Sequence, residues 1–565
     1  MVVERGGGAA QALGEFADAG RTLRVQALQY CHACRRGHRG KLGGCQRERR
    51  RGGAACGGGV HNSNYSLNLN YMGSGMRTAR IWIALGSLLL AVAGSVAPAV
   101  ATEVAGGDAS GSANGALNAA VIQGIDRGVG QVMRRFNVPG AAVMVLQDGR
   151  LIHAKAYGQR DRARDLAVRT DTPFEIGSIT KQFTAAAILQ LQEAGKLMLD
   201  DPLARHLPDA PHAHEVTLRQ LLSHTSGLHD YFDGPEQEVD ALVTQPIAFD
   251  RLVARVRDRP LDFAPGSRWS YSNTGYILLG RVIEVVSGER YVDYVRQHLL
   301  EPLDMRNTFT LADTERLNGM AVGYRHEAGV LRRSPYFHPD WSGAAGFLVS
   351  TLDDLARWDR GLSAGKVISP AGYREMTTPV HTAEGGSADY GLGLFVNAAY
   401  GQARIGHTGG SQGFTTADEY FPGLGLRIIA FTNLGDKTPE AGITLTNAVF
   451  SALHPAIVAA WSRPAPGEEA AVTARARATF EQLQAGSGYA DFNASLRGKL
   501  EAGLGAGLAK AIGPYGTPSA LIFKGTQASE KGTMYRYVAT FGPGVFMPYM
   551  IRPDEEGRVA GFALD

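Results

Sequence analysis

Residues 174–181 have the sequence Phe-Glu-Ile-Gly-Ser-Ile-Thr-Lys, and a largely apolar run, Gln-Phe-Thr-Ala-Ala-Ala-Ile-Leu, follows directly. The Ala-rich run predicts a buried helix that ends near Gly195, because glycine commonly follows the last turn of a helix. Ser178 and Lys181 lie three positions apart, a spacing that places two side chains on one face of a helix. The helix therefore brings the Lys181 ammonium beside the Ser178 hydroxyl.

This pair of side chains has the chemistry of an activated nucleophile. A serine hydroxyl needs an adjacent base to take its proton, and burial lowers the pKa of a lysine until it can be that base. The helix N-terminus also favours negative charge that develops at Ser178. Ser-x-x-Lys occurs by chance in many proteins, so a serine that caps the helix beside an unrelated surface lysine is the alternative.

Charge is distributed unevenly along the 565 residues. Residues 1–71 carry 11 Lys and Arg against 4 Asp and Glu, whereas residues 102–565 carry 44 basic and 50 acidic side chains. The mild acidity of the longer part argues against nucleic-acid binding. The cysteines are Cys31, Cys34, Cys45 and Cys56. No second Cys-x-x-Cys follows at zinc spacing, so we expect no metal site there.

The segment 72–101 has the three parts of a secretory signal peptide. Residues 76–80 contain two arginines, residues 81–94 are apolar, and the Ala-Val-Ala at 99–101 supplies small residues for cleavage. The alternative is an uncleaved membrane anchor, but the apolar run is short for a span. We therefore expect export, to the periplasm or outside the cell.

A signal peptide begins a chain, so its position predicts a start at Met72 or Met76 and a mature protein from about Thr102. Residues 1–71 are rich in Gly and Arg without periodicity. We expect them to be disordered, or an upstream extension from a start codon assigned too early. Residues 102–117 are rich in Gly, Ser and Ala and predict a flexible leader.

Strand and helix patterns alternate between residues 118 and 460. Candidate strands lie at 141–146, 151–156, 391–396, 402–407 and 426–431. Asp148-Gly149, between the first two, is a strong hairpin signal. Helical patterns lie at 117–136, at 444–451 and through a polar middle at 200–330. Strands from both ends with helices between them predict one antiparallel sheet with a helical insertion.

Residues 461–471 contain Pro and Gly and predict a linker, after which 472–565 form a small α+β domain. Its helices are predicted at 472–483 and 489–508, and its strands at 519–524, 533–541, 545–551 and 559–563. Tyr535-Arg536-Tyr537 and the Gly-Arg-Val-Ala-Gly-Phe at 557–562 weakly resemble cone-shaped folds like nuclear transport factor 2. We find no catalytic set in this segment.

Residues 269–276 read Trp-Ser-Tyr-Ser-Asn-Thr-Gly-Tyr and follow a Pro-Gly turn that presents them on a loop. A tyrosine near an ammonium can serve as a general base, which is the role we assign to Tyr271. The Asn273 amide can orient a substrate carbonyl. The alternative is a loop tyrosine with a capping asparagine.

Residues 406–411 read Gly-His-Thr-Gly-Gly-Ser on a predicted strand. Small residues there let a substrate approach the backbone closely. A backbone N–H at this edge can pair with that of Ser178 as an oxyanion hole. The alternative is a β-bulge with a solvent-facing His407.

Two other features have structural interpretations. Thr351 caps a predicted helix, with Asp354 at the capping-box position, and the small residues at 343–346 have a structural role unless they border a cleft. His224 follows a predicted helix end. We expect it to be a buried supporting histidine rather than a metal ligand or a base.

Three motifs together carry a family resemblance: Ser178-Ile179-Thr180-Lys181, Tyr271-Ser272-Asn273 and His407-Thr408-Gly409, in that order. They resemble the motifs of the class C β-lactamase and penicillin-binding-protein superfamily of serine hydrolases. The likeness spans about residues 118–460. It implies an α/β (α+β) domain with a five-stranded antiparallel sheet beside an all-helical subdomain, and a site between them.

The resemblance also implies a role for each motif residue. Ser178 would be the acylated nucleophile, and Lys181 and Tyr271 would share proton transfer. Asn273 would position the substrate. The backbone N–H groups of Ser178 and Gly410 would form the oxyanion hole, because Gly410 directly follows the third motif.

His407 stands where β-lactamases carry a lysine that binds the carboxylate of β-lactams and peptidoglycan stems. A histidine is largely neutral near pH 7 and binds anions less well. We therefore expect an exported serine hydrolase for an ester or amide: an esterase, a D-amino-acid peptidase or a β-lactamase relative.

We expect this hydrolase to use small-molecule or peptide substrates. It would need no cofactor and no metal, and it would have no stable membrane span after signal cleavage. The alternative is a penicillin-binding or sensor protein that acylates without efficient turnover. Substrate identity and oligomeric state stay open.

Overall fold

The computed structural model describes residues 117–564 apart from 234–235, 314, 436–439, 530–531 and 543. These described residues all belong to one compact unit, Leu69–Asp565. The expected signal segment, the cysteine-containing extension and nearly all of the leader lie outside the described residues. Expectations for those segments therefore remain predictions.

The strands of the described residues form four sheets. In chain order they are β1 (Gly140–Gln147), β2 (Arg150–Asp161), β3 (Leu166–Ala167), β4 (Phe174–Glu175), β5 (Phe309–Thr310), β6 (Tyr324–Glu327), β7 (Val330–Arg333), β8 (Leu348–Ser350), β9 (Phe395–Ala399), β10 (Gln402–Ser411), β11 (Phe414–Phe421), β12 (Leu426–Thr432), β13 (Ala520–Ser529), β14 (Gly532–Thr540), β15 (Phe546–Pro553) and β16 (Val559–Leu564).

The largest sheet is antiparallel and has the strand order β3-β2-β1-β12-β11-β10-β9. Its centre pairs β1 with β12, so strands from the two ends of the region meet there, as predicted. The sheet has seven strands rather than the five that the resemblance implied, because the short strands β3 and β9 extend its two edges. β9 enters β10 through Tyr400-Gly401, where both residues adopt the left-handed conformation that a tight hairpin requires.

The predicted hairpin at Asp148-Gly149 is confirmed and joins β1 to β2. Both turn residues have positive φ, 49° and 74°, which matches the right-handed twist of the flanking strands. Alternate residues of β1 pack into two different hydrophobic cores, one on each face of the sheet. Met144 and Leu146 pack in the core on one face of the sheet, and Val143 and Val145 pack in the core on the other.

Strand β11 gives a weak signal in the sequence because Asp418 and Glu419 interrupt its apolar residues. Both carboxylates are buried nonetheless. Arg427 on β12 binds Asp418 at 2.6 Å, and Arg404 on β10 binds Glu419 at 3.0 Å. Neighbouring strands supply these partners. The sequence of β11 alone therefore does not show that its two carboxylates can be buried.

The described residues form fifteen α-helices. In chain order they are α1 (Ala119–Phe136), α2 (Thr180–Glu193), α3 (Leu218–Leu222), α4 (Glu236–Leu242), α5 (Phe249–Ala254), α6 (Asn273–Ser287), α7 (Tyr291–Tyr294), α8 (Gly343–Gly346), α9 (Leu352–Ser363), α10 (Pro370–Met376), α11 (Ala441–Leu453), α12 (Pro455–Trp461), α13 (Ala470–Ala485), α14 (Ala494–Lys499) and α15 (Gly505–Ile512).

Helix α2 is the buried Ala-rich helix that the sequence predicts. Gly195 follows it with φ of 69°, as expected for a terminating glycine. The Phe183 ring stacks on Trp358 of α9 with 3.9 Å between ring centroids. Trp358 Nε1 donates to Gln182 Oε1 at 3.0 Å, so both polar and apolar contacts fix α2 against α9.

The C-terminal helices α13 to α15 and strands β13 to β16 share a hydrophobic core of their own. The four predicted strands are present, in the order β13-β14-β15-β16. Asn447 of α11 donates to the Gly544 carbonyl at 3.1 Å, and Arg135 of α1 donates to the Tyr515 carbonyl at 2.7 Å. These contacts attach the C-terminal part to helices α1 and α11, which cover the face of the sheet opposite α2.

We expect Phe183→Ala to lower the free energy of unfolding by about 4 kcal/mol, because it removes a fully buried ring that stacks on Trp358. Urea unfolding followed by far-ultraviolet circular dichroism measures this change. Phe249→Ala is the matched control, since Phe249 is 36% exposed, and its cost should stay below about 1 kcal/mol. Equal losses in the two variants would contradict the packing described for α2.

Candidate active site

Ser178 lies in a single turn of 3-10 helix, Gly177–Ile179, that leads directly into α2. The turn is fixed on both sides. The Ile176 N–H donates to the Leu348 carbonyl at 2.9 Å, and Gly177, with φ of 50°, lies against the backbone of β10. A Cβ on Gly177 would lie 2.6 Å from the nitrogen of Gly410, so this position requires glycine.

Lys181 is completely buried, which excludes the interpretation of this residue as a surface lysine. In its ammonium form, Nζ donates to Ser178 Oγ at 3.1 Å, to Asn273 Oδ1 at 2.9 Å and to the Ala345 carbonyl at 2.8 Å. Burial lowers the pKa of Lys181 to about 7, although the charge of Asp230 opposes this shift. A substantial fraction of Lys181 is therefore neutral near pH 7.

Tyr271 lies over the same ammonium, with its ring centroid 4.8 Å from Lys181 Nζ. The side chain is buried, and its hydroxyl has no partner of good hydrogen-bonding geometry among the described residues. Burial raises the pKa of Tyr271 well above its usual value, and the nearby Ser178 hydroxyl offsets only part of that shift. Tyr271 therefore holds its proton in the resting site, whereas Lys181 can lose its own.

Asn273 is the first residue of α6, and one donor and one acceptor define the orientation of its amide. Its Oδ1 accepts from Lys181 at 2.9 Å, while its Nδ2 and its backbone N–H both donate to Asp230 Oδ2 at 2.9 Å. Asp230 belongs to none of the three sequence motifs. In the structure it is a buried partner of the second motif.

The third motif brings the backbone of β10 against the Ser178 turn. A Cβ on Gly409 would lie 2.0 Å from the Ile176 carbonyl and 2.3 Å from Thr416 Oγ1. The predicted oxyanion pair, Ser178 and Gly410, is thus carried by two backbone segments in direct contact. Gly409 is required by close packing. The alternative of a bulge is excluded because β10 pairs regularly with β11 from Ile405 to Ser411.

His407 is fully buried rather than facing solvent. Its Nδ1 lies 2.5 Å from the Thr408 carbonyl, which can only accept, so Nδ1 carries a proton and donates there. Nε2 then accepts from the Tyr390 hydroxyl at 3.0 Å. Burial, and secondarily the charge of Lys181, lowers the pKa of His407 to about 3. The ring is therefore neutral, with partners at both nitrogens.

A family model for beta-lactamase matches residues 125–452, more than half of the chain and all three motifs. The chain belongs to the beta-lactamase family. The matched segment contains Ser178, Lys181, Tyr271, Asn273 and His407, which is the set assembled around the buried lysine.

Individual relatives have more specific names. Penicillin-binding protein 4 of Amycolatopsis lactamdurans is 31% identical over 54% of this chain and 82% of its own length. A penicillin-binding protein of Bacillus subtilis is also 31% identical, over 48% of this chain and 63% of its own length. The crystal structure of D-amino acid amidase from Ochrobactrum anthropi is 25% identical, with a TM-score of 0.51, and covers 60% of this chain and all of the amidase.

In this beta-lactamase-family protein His224 supports the second motif, consistent with the expectation that it is a buried supporting residue. Its Nδ1 accepts from the Ser272 N–H at 3.2 Å, and its ring lies 4.2 Å from that of Tyr271. Burial lowers the pKa of His224 well below its usual value, so the ring stays neutral beside Lys181. Its role is to pack behind the Tyr271 loop.

The small residues of α8 contribute more than the structural role expected of them. The Ala345 carbonyl accepts from Lys181, and the Ala344 carbonyl accepts from Thr184 of α2 at 2.6 Å. No side chain signals this contact, because the acceptors are backbone atoms. Thr351 caps α9 as predicted. Asp354, however, accepts from the Asn307 N–H at 2.7 Å, so its carboxylate bonds outside the helix.

Two features of the described residues bear on metal ions and membranes as partners. No group of three or more His, Cys, Asp or Glu side chains there is arranged to hold a metal ion. No single helix of this part combines the length and hydropathy of a membrane span. The pair α11 and α12 meets those criteria jointly, but is bent by 106°.

We expect Gly409→Ala to destabilise the fold by about 2 kcal/mol, because the new methyl group meets the Ile176 carbonyl in a packed site. Gly423→Ala is the control, since a Cβ there meets nothing within 4 Å. Urea unfolding of the two variants tests the contact. A Gly409→Ala protein as stable as the control would show that β10 does not pack on the Ser178 turn.

Proposed function

We propose that this chain is a serine hydrolase that cleaves an ester or amide through an acyl-enzyme on Ser178, without metal or cofactor. One observation carries the proposal. A neutral lysine has two N–H donors and one lone pair, and around Lys181 Nζ two groups, Asn273 Oδ1 and the Ala345 carbonyl, can only accept. They take the two N–H groups, so the lone pair faces the Ser178 hydroxyl, 3.1 Å away.

Acylation then proceeds with a balanced proton path. As Ser178 Oγ bonds to the substrate carbonyl carbon, its proton moves to Lys181 Nζ. The carbonyl oxygen becomes an oxyanion, which the backbone N–H groups of Ser178 and Gly410 stabilise. The tetrahedral intermediate expels the leaving group, which takes the Tyr271 proton, and the Lys181 ammonium returns a proton to Tyr271. Water reverses these steps in deacylation.

The neutral state of His407 bears on the substrate. A neutral ring with both nitrogens occupied offers no charge to a substrate carboxylate, unlike the lysine of typical β-lactamases. This favours esters and amides whose leaving side is uncharged, including D-aminoacyl amides, for which the named amidase relative is a precedent. Asn273, bonded to Lys181, would position the acyl side.

We propose that this hydrolase acts outside the cytoplasm, as a periplasmic or secreted protein. The support is the signal-like segment at 72–101 and the kinship with bacterial penicillin-binding proteins. Its substrates would be small molecules or peptides.

A second function is favoured by the names of the curated relatives, which are penicillin-binding proteins. In that case Ser178 acylates and turns over slowly. Rapid-mixing kinetics separate the two functions, because a hydrolase reaches a steady state after the burst and a sensor does not. The informative substrates are nitrocefin, short p-nitrophenyl esters, D-Ala-D-Ala peptides and D-aminoacyl anilides.

The nucleophile assignment is tested by covalent labelling of the full chain with a fluorophosphonate probe. We expect Ser178→Ala to abolish labelling, because it removes the attacking oxygen and leaves Lys181 in place. Ser363→Ala, at the end of α9, is the control and should label like the wild type. Mass spectrometry of the labelled peptide reports the site, and persistent labelling of Ser178→Ala at this site would exclude the assignment.

The base assignment predicts how the labelling rate depends on pH. Only neutral Lys181 can accept the Ser178 proton, and its pKa is lowered to about 7. The rate should therefore level off above about pH 8 and fall by about tenfold per unit below pH 6, as Lys181 becomes protonated. Labelling reactions quenched at fixed times from pH 5 to 9 measure the rate as a function of pH. A rate that does not change with pH would contradict the role of Lys181.

A further inference from the structure

Asp230 lies outside the three motifs, on the loop between α3 and α4, and is 5% exposed. Its Oδ2 accepts two hydrogen bonds from one residue, the Asn273 backbone N–H and Nδ2, each at 2.9 Å. Its Oδ1 accepts from the Phe232 N–H at 2.9 Å, which anchors the carboxylate in its own loop. The side chain is thus held by three donors at the start of α6.

These contacts determine which end of the Asn273 amide meets Lys181. A carboxylate only accepts, so the NH₂ end of the amide must face Asp230 and the oxygen must face Lys181 Nζ. If the amide were reversed, its NH₂ group would compete for the lone pair of neutral Lys181. The lone pair would then turn away from the Ser178 hydroxyl.

Asp230 also affects Lys181 through its negative charge. Among the described residues, the titratable groups that contact Lys181 or interact with its charge are Asp230, His224, His407, Tyr271 and Tyr276. Burial keeps both histidines neutral by lowering their pKa, and keeps both tyrosines neutral by raising theirs. Asp230 is the one whose charge raises the pKa of Lys181, against the larger effect of burial.

We propose that Asp230 is a positioning residue of the reaction, which fixes the Asn273 amide so that neutral Lys181 points its lone pair at Ser178. Its carboxylate, one hydrogen-bonded residue away from Nζ, also favours the ammonium form of Lys181. The proposal rests on the proposed function of Lys181 as the base. Proton transfer from Ser178 then depends on a residue that contacts Asn273 and does not itself contact Ser178.

Two substitutions separate the two effects. Asp230→Asn removes the charge but keeps an oxygen that can accept both bonds from Asn273. Asp230→Ala removes the charge and the acceptor. Asp262→Asn is the matched control, because Asp262 binds His229 at 3.1 Å in the same part of the fold and is not among the groups that act on Lys181.

The readout is the fluorophosphonate labelling rate of Ser178 in the full chain from pH 5 to 9. Loss of the negative charge favours neutral Lys181, so the acid limb of Asp230→Asn should move to lower pH by about one unit. Asp230→Ala should show the same displacement and a plateau about 10- to 100-fold below that of Asp230→Asn, because the amide is free to turn. Asp262→Asn should reproduce the wild-type limb and plateau.

A purely structural Asp230 would lower the plateau in proportion to lost folded protein and leave the limb in place. A wild-type limb in Asp230→Asn therefore overturns the charge role, and equal plateaus in the two Asp230 variants overturn the positioning role. Thermal unfolding identifies the folded fraction, and rates are normalised to it. If the wild type itself is not labelled at Ser178, or its profile is flat, the proposed function fails instead.

Discussion

Burial of the Lys181 amine is the constraint on which the rest of this structure depends. Removing an ammonium from water is costly unless polar groups surround it, so the fold must deliver acceptors to one point. It does so with Ser178 from the turn before α2, Asn273 from the start of α6 and the Ala345 carbonyl from α8. Segments that are far apart in the chain converge here because each supplies a hydrogen-bond acceptor to the same buried amine.

The surrounding aromatic and imidazole groups complete this arrangement by staying uncharged. His224, His407, Tyr271 and Tyr276 are all buried, and each is neutral for the same reason, the cost of charge in a dry interior. Because these four groups stay neutral, the Lys181 amine is the group among them that changes its protonation state near pH 7. The third-motif histidine is one of these four groups, joined to Tyr390 rather than open to solvent.

Much of this could be predicted from the sequence, and the parts that could not have physical reasons. The α2 helix and the β1–β2 hairpin follow from local patterns. A sheet shared by strands from the two ends of the region follows from the order of strand and helix patterns. Strand β11 does not, because Asp418 and Glu419 are compensated by arginines on other strands. The Ala345 carbonyl and the orientation of Asn273 also escape prediction, since a backbone acceptor has no side-chain signature and Asp230 is 43 residues away.

The attachment of the C-terminal part to α1 and α11 has an architectural consequence. Its contacts through Asn447 and Arg135 lie on one face of the large sheet, whereas Ser178 and Lys181 belong to the other. The sheet thus separates the apolar core beneath the C-terminal part from the core that contains α2. The C-terminal part therefore supports the sheet from the face opposite Ser178 rather than lining the Lys181 site.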